Sequence, residues 1–218
     1  MKKFAVIGES LSHSFSPILH KIIYQKLELN ADYSKVEIAP KDLSSFIMSN
    51  QFNGLNITIP YKEKVISALD KIDKPSKIIG AVNCLHGLEG FNTDWRGFLK
   101  SMQVNNVNME GKNCLIIGAG GAAKAIAFAL FKSNVNSIKF KNRTKDRLKV
   151  ITSWVNSFFI NNKDHVTPDI IINCTPQGMF PMKDKIPMRT DNIYKNQILI
   201  DTIYNPLITN WLKEGAEK

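Results

Sequence analysis

The apolar stretch Cys114-Leu115-Ile116-Ile117 runs directly into Gly118-Ala119-Gly120-Gly121-Ala122-Ala123 and then into an alanine-rich apolar segment ending at Leu130. Few arrangements accommodate that order. An unbroken apolar run fits a strand buried on both faces, and the segment after the glycines has the length and composition of a helix. The glycines permit a turn too tight for a Cβ, so the chain passes from strand to helix at once. Such a unit commits the chain to a parallel sheet covered by helices. The pattern Gly118-x-Gly120-x-x-Ala123 also fits the dinucleotide fingerprint, which tolerates alanine at its third position. In that motif the second glycine lets the backbone approach a pyrophosphate, which then sits on the N–H groups of the helix start. A purely structural turn is the other reading of these glycines; the flanking strand and helix favour the dinucleotide.

The same alternation extends along the chain. Phe4 to Gly8, Tyr33 to Ile38, Leu55 to Ile59 and Ala81 to Leu85 read as strands, interleaved with helices over Ser16 to Leu27, Lys41 to Met48 and Lys64 to Leu69. Ser16 reads as an N-cap with Pro17 at the first helical position, and Ile18, Leu19, Ile22, Ile23 and Leu27 recur at helical spacing. A turn at His86-Gly87 sends a short hairpin back through Phe91, and Asp94 caps a helix from Trp95 to Met102. Beyond the polar stretch Asn105 to Gly111, Cys114 to Ile117, Ser137 to Phe140, Asp169 to Asn173 and Gln197 to Asp201 read as strands, with helices over Gly118 to Leu130 and Lys145 to Val155. The expected fold class is α/β in two domains: an N-terminal open α/β substrate domain over residues 1–104 and a C-terminal Rossmann domain over 105–218, with the active site in the cleft between them.

Composition narrows the function classes. Over 218 residues, 44% hydrophobic and 22% charged residues describe a globular chain and exclude disorder, collagen and a membrane bundle. No segment approaches the ~20 apolar residues of a membrane span, and Phe4-Ala5-Val6-Ile7 before Gly8 is too short for a signal peptide. The three cysteines, Cys84, Cys114 and Cys174, lie in or beside apolar runs and not at metal-ligand spacing. Buried reduced thiols, and hence a cytoplasmic location, are expected. The net charge of +10 admits a nucleic acid, an anionic small molecule or a dispersed lysine-rich surface as its cause. The lysines are scattered and no DNA- or RNA-binding signature accompanies them, so neither nucleic acid nor membrane is expected as a partner.

Four polar segments carry the chemistry. Lys141-Asn142-Arg143-Thr144 ends the strand after the glycine loop. An enzyme using NAD would place Asp or Glu there, for the ribose hydroxyl. Arg143 can instead pair bidentately with a 2′-phosphate and stack on adenine, with Arg147 one helical turn on as a second cation. NADP is the favoured cofactor; a plain surface arginine is the other reading. Ser14 and Ser16 set hydroxyls at a helix start, which suits a carboxylate but also suits capping alone. Asn56, Thr58 and Lys62 lie toward the C-terminal end of a strand, where ligands bind in open α/β sheets. Asn83 ends Ala81-Val82-Asn83, and Asn92-Thr93-Asp94 precedes a helix; a helix cap at Asp94 and a solvated lysine at Lys62 are the bland alternatives.

Taken together, Ser14-x-Ser16-Pro17, Asn56-x-Thr58-x-Pro60-x-Lys62, Gly80-Ala81-Val82-Asn83, Asn92-Thr93-Asp94, Gly118-Ala119-Gly120-Gly121-Ala122, Asn142-Arg143-Thr144, Asn173-x-Thr175-Pro176-x-Gly178-Met179 and Asp201-x-x-Tyr204 follow the order of one family. Over almost its whole length the chain resembles the shikimate dehydrogenases, NADP-dependent oxidoreductases of aromatic biosynthesis. The resemblance implies reversible NADPH-dependent reduction of 3-dehydroshikimate to shikimate by a monomer or homodimer. It implies that Ser14 and Ser16 bind the substrate carboxylate, that Asn56, Thr58, Asn83 and Asp94 meet its hydroxyls, and that Tyr204 reaches the carboxylate side. Lys62 and Asp94 are implied as the catalytic pair. Gly118, Ala119, Gly120, Gly121, Ala122, Asn142, Arg143, Thr144, Arg147 and Thr175 are the implied NADP contacts.

Oxidising a secondary alcohol needs a proton acceptor. No zinc spacing is visible, and none of the four histidines, His13, His20, His86 and His165, has a carboxylate partner in sequence, which leaves Lys62. Burial would lower a lysine's proton affinity and Asp94 would raise it, so the two influences oppose each other. Rival readings are a quinate/shikimate dehydrogenase using NAD, a non-catalytic NADP-binding regulator, and a nucleic-acid binder drawn by the charge. Three departures from the family stand out. Cys84 replaces a threonine; Leu85 to Gly90 is shorter than the family's hairpin, which implies residues missing there; and the family continues past the position of Lys218 with a glutamine-bearing helix that returns to the first domain, so the natural chain is expected to be longer.

Overall fold

Where apolar residues run together the chain forms strands, and a computed structural model, which describes residues 1–12, 14–49, 51–159 and 167–218, arranges them in two sheets. His13 and His165 lie outside the described residues. Each sheet belongs to its own unit, Met1–Asp94 or Trp95–Lys218.

The first unit holds β1 (Lys2–Gly8), α1 (Ser16–Lys26), β2 (Ala31–Glu37), α2 (Leu43–Ser49), β3 (Gly54–Ile57), β4 (Lys71–Ile72), α3 (Lys74–Ile79), β5 (Cys84–His86) and β6 (Glu89–Phe91), with strand order β2-β1-β3-β5-β6-β4. β1 runs parallel to β2 and β3, as strand–helix alternation predicts. β5 departs from that expectation by running antiparallel to both β3 and β6. Only Gly87 and Leu88 separate β5 from β6, too few residues for a parallel crossover, and Gly87 supplies the left-handed turn at φ +57°. Ala81 to Asn83, expected in a strand, precedes the hairpin: the strand begins at Cys84, and Ala81 and Val82 are fully buried. The core gathers Ala5, Ile7, Leu55, Ile57, Val65 and Leu85 around Tyr61, whose hydroxyl donates to the Ile38 carbonyl.

Two features of α1 differ from expectation. Ser16 is the first helical residue and not its cap; Phe15 holds the cap position without a side-chain hydrogen bond. The Ser16 N–H is met instead by the Ser14 hydroxyl at 3.3 Å. The apolar row Ile18, Leu19 and Ile22 is more than half exposed, and no residue of α1 is buried.

The second unit takes up α4 (Asp94–Val104) from Trp95 onward, then β7 (Asn113–Ile117), α5 (Gly121–Lys132), β8 (Ser137–Lys141), α6 (Lys145–Asn156), β9 (Ile170–Asn173), β10 (Ile198–Asp201) and α7 (Asn210–Ala216). Its sheet, in the order β10-β9-β7-β8, is wholly parallel, a Rossmann-type half. The unit begins at Trp95 and not near residue 105, because Phe98 and Met102 of α4 pack into the core formed by Ile116, Ile126, Ile138 and Ile170. Alanines at 123, 125, 127 and 129 let α5 bury almost completely against that sheet. Among the described residues no helix is long and apolar enough to cross a membrane.

Candidate active site

At the end of β3 the chain turns through Thr58, whose N–H donates to the Ile7 carbonyl at 2.9 Å, and reaches Lys62. The Lys62 carbonyl accepts from Val82 N–H at 2.7 Å, which ties this turn to the segment leading into β5. From there the Lys62 ammonium reaches Asp94 at the start of α4, with Nζ 2.6 Å from Oδ2. The two side chains are 18% and 28% exposed, so the pair is partly shielded from water yet open to a ligand.

Asp94 does not spend its carboxylate on capping α4. Its second oxygen, Oδ1, accepts from Asn83 Nδ2 at 2.7 Å. Asn83 is buried and acts as the hub: Nδ2 also donates to Thr93 Oγ1 at 2.9 Å, and Oδ1 accepts from Thr93 N–H at 2.8 Å. Asn92, buried as well, donates to the Ala81 carbonyl at 3.0 Å and accepts from Asp94 N–H at 3.0 Å. Both N–H bonds of Asn83 are therefore engaged inside the protein, and it holds Asp94 in place instead of offering a free donor. Charge-assisted bonds to both carboxylate oxygens fix the position from which the lysine works.

Asn56 lies on β3 beside this hub. Its Nδ2 is 3.5 Å from the Asn83 carbonyl, and its Oδ1 accepts from the Tyr33 hydroxyl at 2.6 Å. Ser14 and Ser16 are joined by a hydrogen bond of 3.2 Å between their hydroxyls. Burial raises the Tyr33 phenol above the ordinary tyrosine range, while the Ser16 side chain, hydrogen-bonding to it, pulls in the opposite direction. Ser14, Ser16, Asn56, Thr58, Lys62, Asn83 and Asp94 all belong to the first unit; Tyr204 belongs to the second and is exposed.

In the second unit the glycine loop has the form its sequence predicts. Gly118 adopts φ +121°, and a Cβ there would lie 3.0 Å from the Cys174 carbonyl oxygen, so only glycine fits. Gly120 occupies the cap of α5 with no side chain to satisfy the helix N–H groups, and a Cβ there would meet nothing within 4 Å. An open loop beneath uncapped helix donors is the shape a pyrophosphate requires. Gly118 N–H donates to the Lys141 carbonyl at 2.9 Å, which brings the start of Asn142-Arg143-Thr144 beside the loop. Asn142 Nδ2 donates to the Thr144 carbonyl at 2.9 Å, while Arg143, Thr144 and Arg147 are exposed. Thr175 follows β9 and donates through its hydroxyl to Asn173 Oδ1 at 2.7 Å. Asn173 in turn donates to Asp201 at 3.0 Å; burial raises the Asp201 carboxyl, and hydrogen bonds from Ile203, Thr209 and Asn173 counteract it. The residues present thus fit a dinucleotide with an extra phosphate on its ribose.

The cysteines are free thiols, and burial pushes Cys114 up to about 12, with the Asp169 charge adding to it; burial raises Cys84 and Cys174 as well. Sequence reasoning missed Tyr33, Thr93 and His20 as parts of the first unit's polar cluster. Thr93 stands inside the Asn92-Thr93-Asp94 motif. Tyr33 reads only as a strand aromatic, and His20 finds no carboxylate: its Nδ1 lies 2.8 Å from the Ser16 carbonyl and its ring stacks on Tyr33.

Residues 6–85 match the family model described as the shikimate dehydrogenase substrate binding domain. A shikimate dehydrogenase (NADP(+)) of Methanosphaera stadtmanae is 40% identical over 98% of this chain and 82% of its own length. A crystal structure of a shikimate dehydrogenase in complex with NADP+ superposes with a TM-score of 0.91 at 33% identity, covering 100% of this chain and 82% of that one. The Thermus thermophilus shikimate 5-dehydrogenase, solved in complex with NADP(H) and shikimate, gives 0.89 at 28% identity, covering 100% of this chain and 84% of that one.

Proposed function

The chain belongs to the shikimate dehydrogenase family, and from that premise we propose that it catalyses the reversible NADPH-dependent reduction of 3-dehydroshikimate to shikimate. The observation that carries the reading is the Lys62–Asp94 pair, 2.6 Å apart and locked by Asn83. Bound NADPH supplies the hydride that reduces the substrate carbonyl carbon. Lys62 gives its Nζ proton to the carbonyl oxygen as the alcohol forms, and in the reverse direction takes that proton from the hydroxyl. Asp94 accepts a hydrogen bond from the lysine and orients it in both directions. Ser14 and Ser16 receive the substrate carboxylate, and Asn56 and Thr58 meet the ring hydroxyls. Asn83 serves the substrate indirectly, through Asp94. Gly118 to Ala122 receive the cofactor pyrophosphate on the uncapped start of α5, with Thr175 beside the loop. Asn142, Arg143, Thr144 and Arg147 receive the adenosine end, where the two arginines favour a 2′-phosphate. We place the enzyme in the cytoplasm as a monomer or homodimer, acting without nucleic acid; the +10 charge serves to attract an anionic substrate and cofactor.

Reduced-nicotinamide absorbance tests the proposal, with shikimate or quinate and with NADP or NAD. Turnover fastest with shikimate and NADP is the expected result. A quinate or NAD preference would reassign the specificity. Folded protein that binds NADP but turns over neither acid would show a non-catalytic relative.

A further inference from the structure

We propose that Tyr33 is a positioning residue that sets which face of the Asn56 carboxamide is offered to the substrate; the inference rests on the assignment of Asn56 to substrate binding above. The sheet register brings the two together. On β1, Phe4 pairs with Tyr33 of β2, and Val6 pairs with Asn56 of β3. Paired residues of parallel strands share a face, so the Tyr33 side chain can cross β1, packing on Val6 and Leu11, and end 2.6 Å from Asn56 Oδ1. The ring itself is held: His20 stacks on it at 3.9 Å between centroids with the planes 10° apart. The His20 ring is held in turn by the Ser16 carbonyl, 2.8 Å from Nδ1, an acceptor that requires the proton to sit on that nitrogen.

A carboxamide presents either a donor or an acceptor to a ligand, and rotation by half a turn exchanges them. Here the neighbours decide. The Asn83 carbonyl can only accept, so it faces Nδ2 of Asn56. Oδ1 then faces Tyr33, and the phenol must donate. Burial keeps the phenol protonated, which preserves it as a donor. One N–H of Asn56 remains for a substrate hydroxyl. At 3.5 Å the bond to Asn83 is too long to hold this orientation alone.

The test is steady-state kinetics on the full chain with shikimate and NADP. Tyr33→Phe leaves the ring and removes the donor; the substrate KM should rise about tenfold, the effect of leaving one polar partner unmatched. The kcat should stay within about twofold, and the NADP KM should not move. Asn56→Ala should raise the substrate KM as well, and the double variant should be no worse than Asn56→Ala alone, since an absent amide needs no orienting. A structural role for Tyr33 predicts losses that multiply and an altered NADP KM; either result overturns the proposal, as does a Tyr33→Phe enzyme with unchanged substrate KM. Should Tyr33→Phe not fold, fluorotyrosine at position 33 keeps ring and hydroxyl while changing donor strength; the substrate KM must then shift, and an unchanged value overturns the inference. A wild-type chain without shikimate turnover fails the functional reading and this inference together, whereas an active wild type with an unperturbed variant fails this inference alone.

Discussion

Lys62→Ala should cost the enzyme its proton transfer and little else. The side chain is bonded to Asp94 at 2.6 Å, and on its removal Asp94 keeps the Asn83 bond at 2.7 Å and its own N–H bond to Asn92 at 3.0 Å. The carboxylate therefore stays where it is. Neither Asn83 nor Thr93 can replace the amine, because an amide or a hydroxyl has no proton to release or capture near neutral pH. The expected loss in kcat is about 10² to 10⁴, the contribution of one general acid–base group, equivalent to roughly 2.7–5.4 kcal/mol on the barrier. The KM values for substrate and cofactor should change far less, since the serine, Asn56 and glycine-loop contacts are untouched. A partly exposed ion pair of this kind is worth at most about 1 kcal/mol to folding, so the melting temperature should hardly move. Lys62→Arg sharpens the test: it keeps the charge and the bond to Asp94 but cannot release its proton. Stopped assays of shikimate oxidation should find it as slow as the alanine variant. Recovery of kcat by arginine would show that positive charge and not proton transfer is what position 62 contributes, and a near-normal kcat for alanine would remove Lys62 from the mechanism.

Arg143→Ala should weaken NADP binding by roughly 1.5–3 kcal/mol while leaving NAD binding almost unchanged, a contrast that calorimetry with both dinucleotides can read; equal losses would assign Arg143 to adenine stacking. Gly118→Ala forces a Cβ to within 3.0 Å of the Cys174 carbonyl at φ +121° and should destabilise the second unit by about 1–3 kcal/mol, seen as a lower denaturation midpoint together with lost NADP affinity; an unshifted midpoint would refute the packing argument. The raised thiols favour the protonated form in the folded state, so the unfolded chain releases those protons first and stability should fall as pH climbs above about 9. Urea titrations at pH 7, 9 and 10 should show that decline, and replacing Cys114 with alanine should lessen it, with Cys84 and Cys174 still contributing.

Most of the architecture was legible because period and punctuation agreed. The Cys114–Ile117 run, the glycines after it and the alanines of α5 each dictate the same unit independently. The polar site was legible only as a set of residue types. Asn83 reads from sequence as a substrate contact, but its partners are set by the hairpin that brings Thr93 and Asp94 alongside it, a pairing across about ten residues that no local pattern announces. Ser16 looks like a cap because Pro17 follows it, yet the helix starts one residue earlier than that pattern predicts. Tyr33 was invisible as a polar residue because its strand alternation explains it completely until β1 is seen to carry its ring across to Asn56.

The containment of Lys62, Asp94, Asn83 and Thr93 within Met1–Asp94 has an evolutionary consequence. On the proposed assignment, proton chemistry and nucleotide preference are written in separate stretches of the gene, the former ending where Asp94 opens α4 and the latter beginning with the strand before Gly118. Substitutions between Asn142 and Arg147 can therefore drift between dinucleotides without disturbing the hydrogen bonds that aim the lysine, and a lineage can explore new electron donors at no cost to its acid–base apparatus. A change at Asn83 alters the aim of Asp94 instead, so selection on the alcohol and selection on the donor act on different residues.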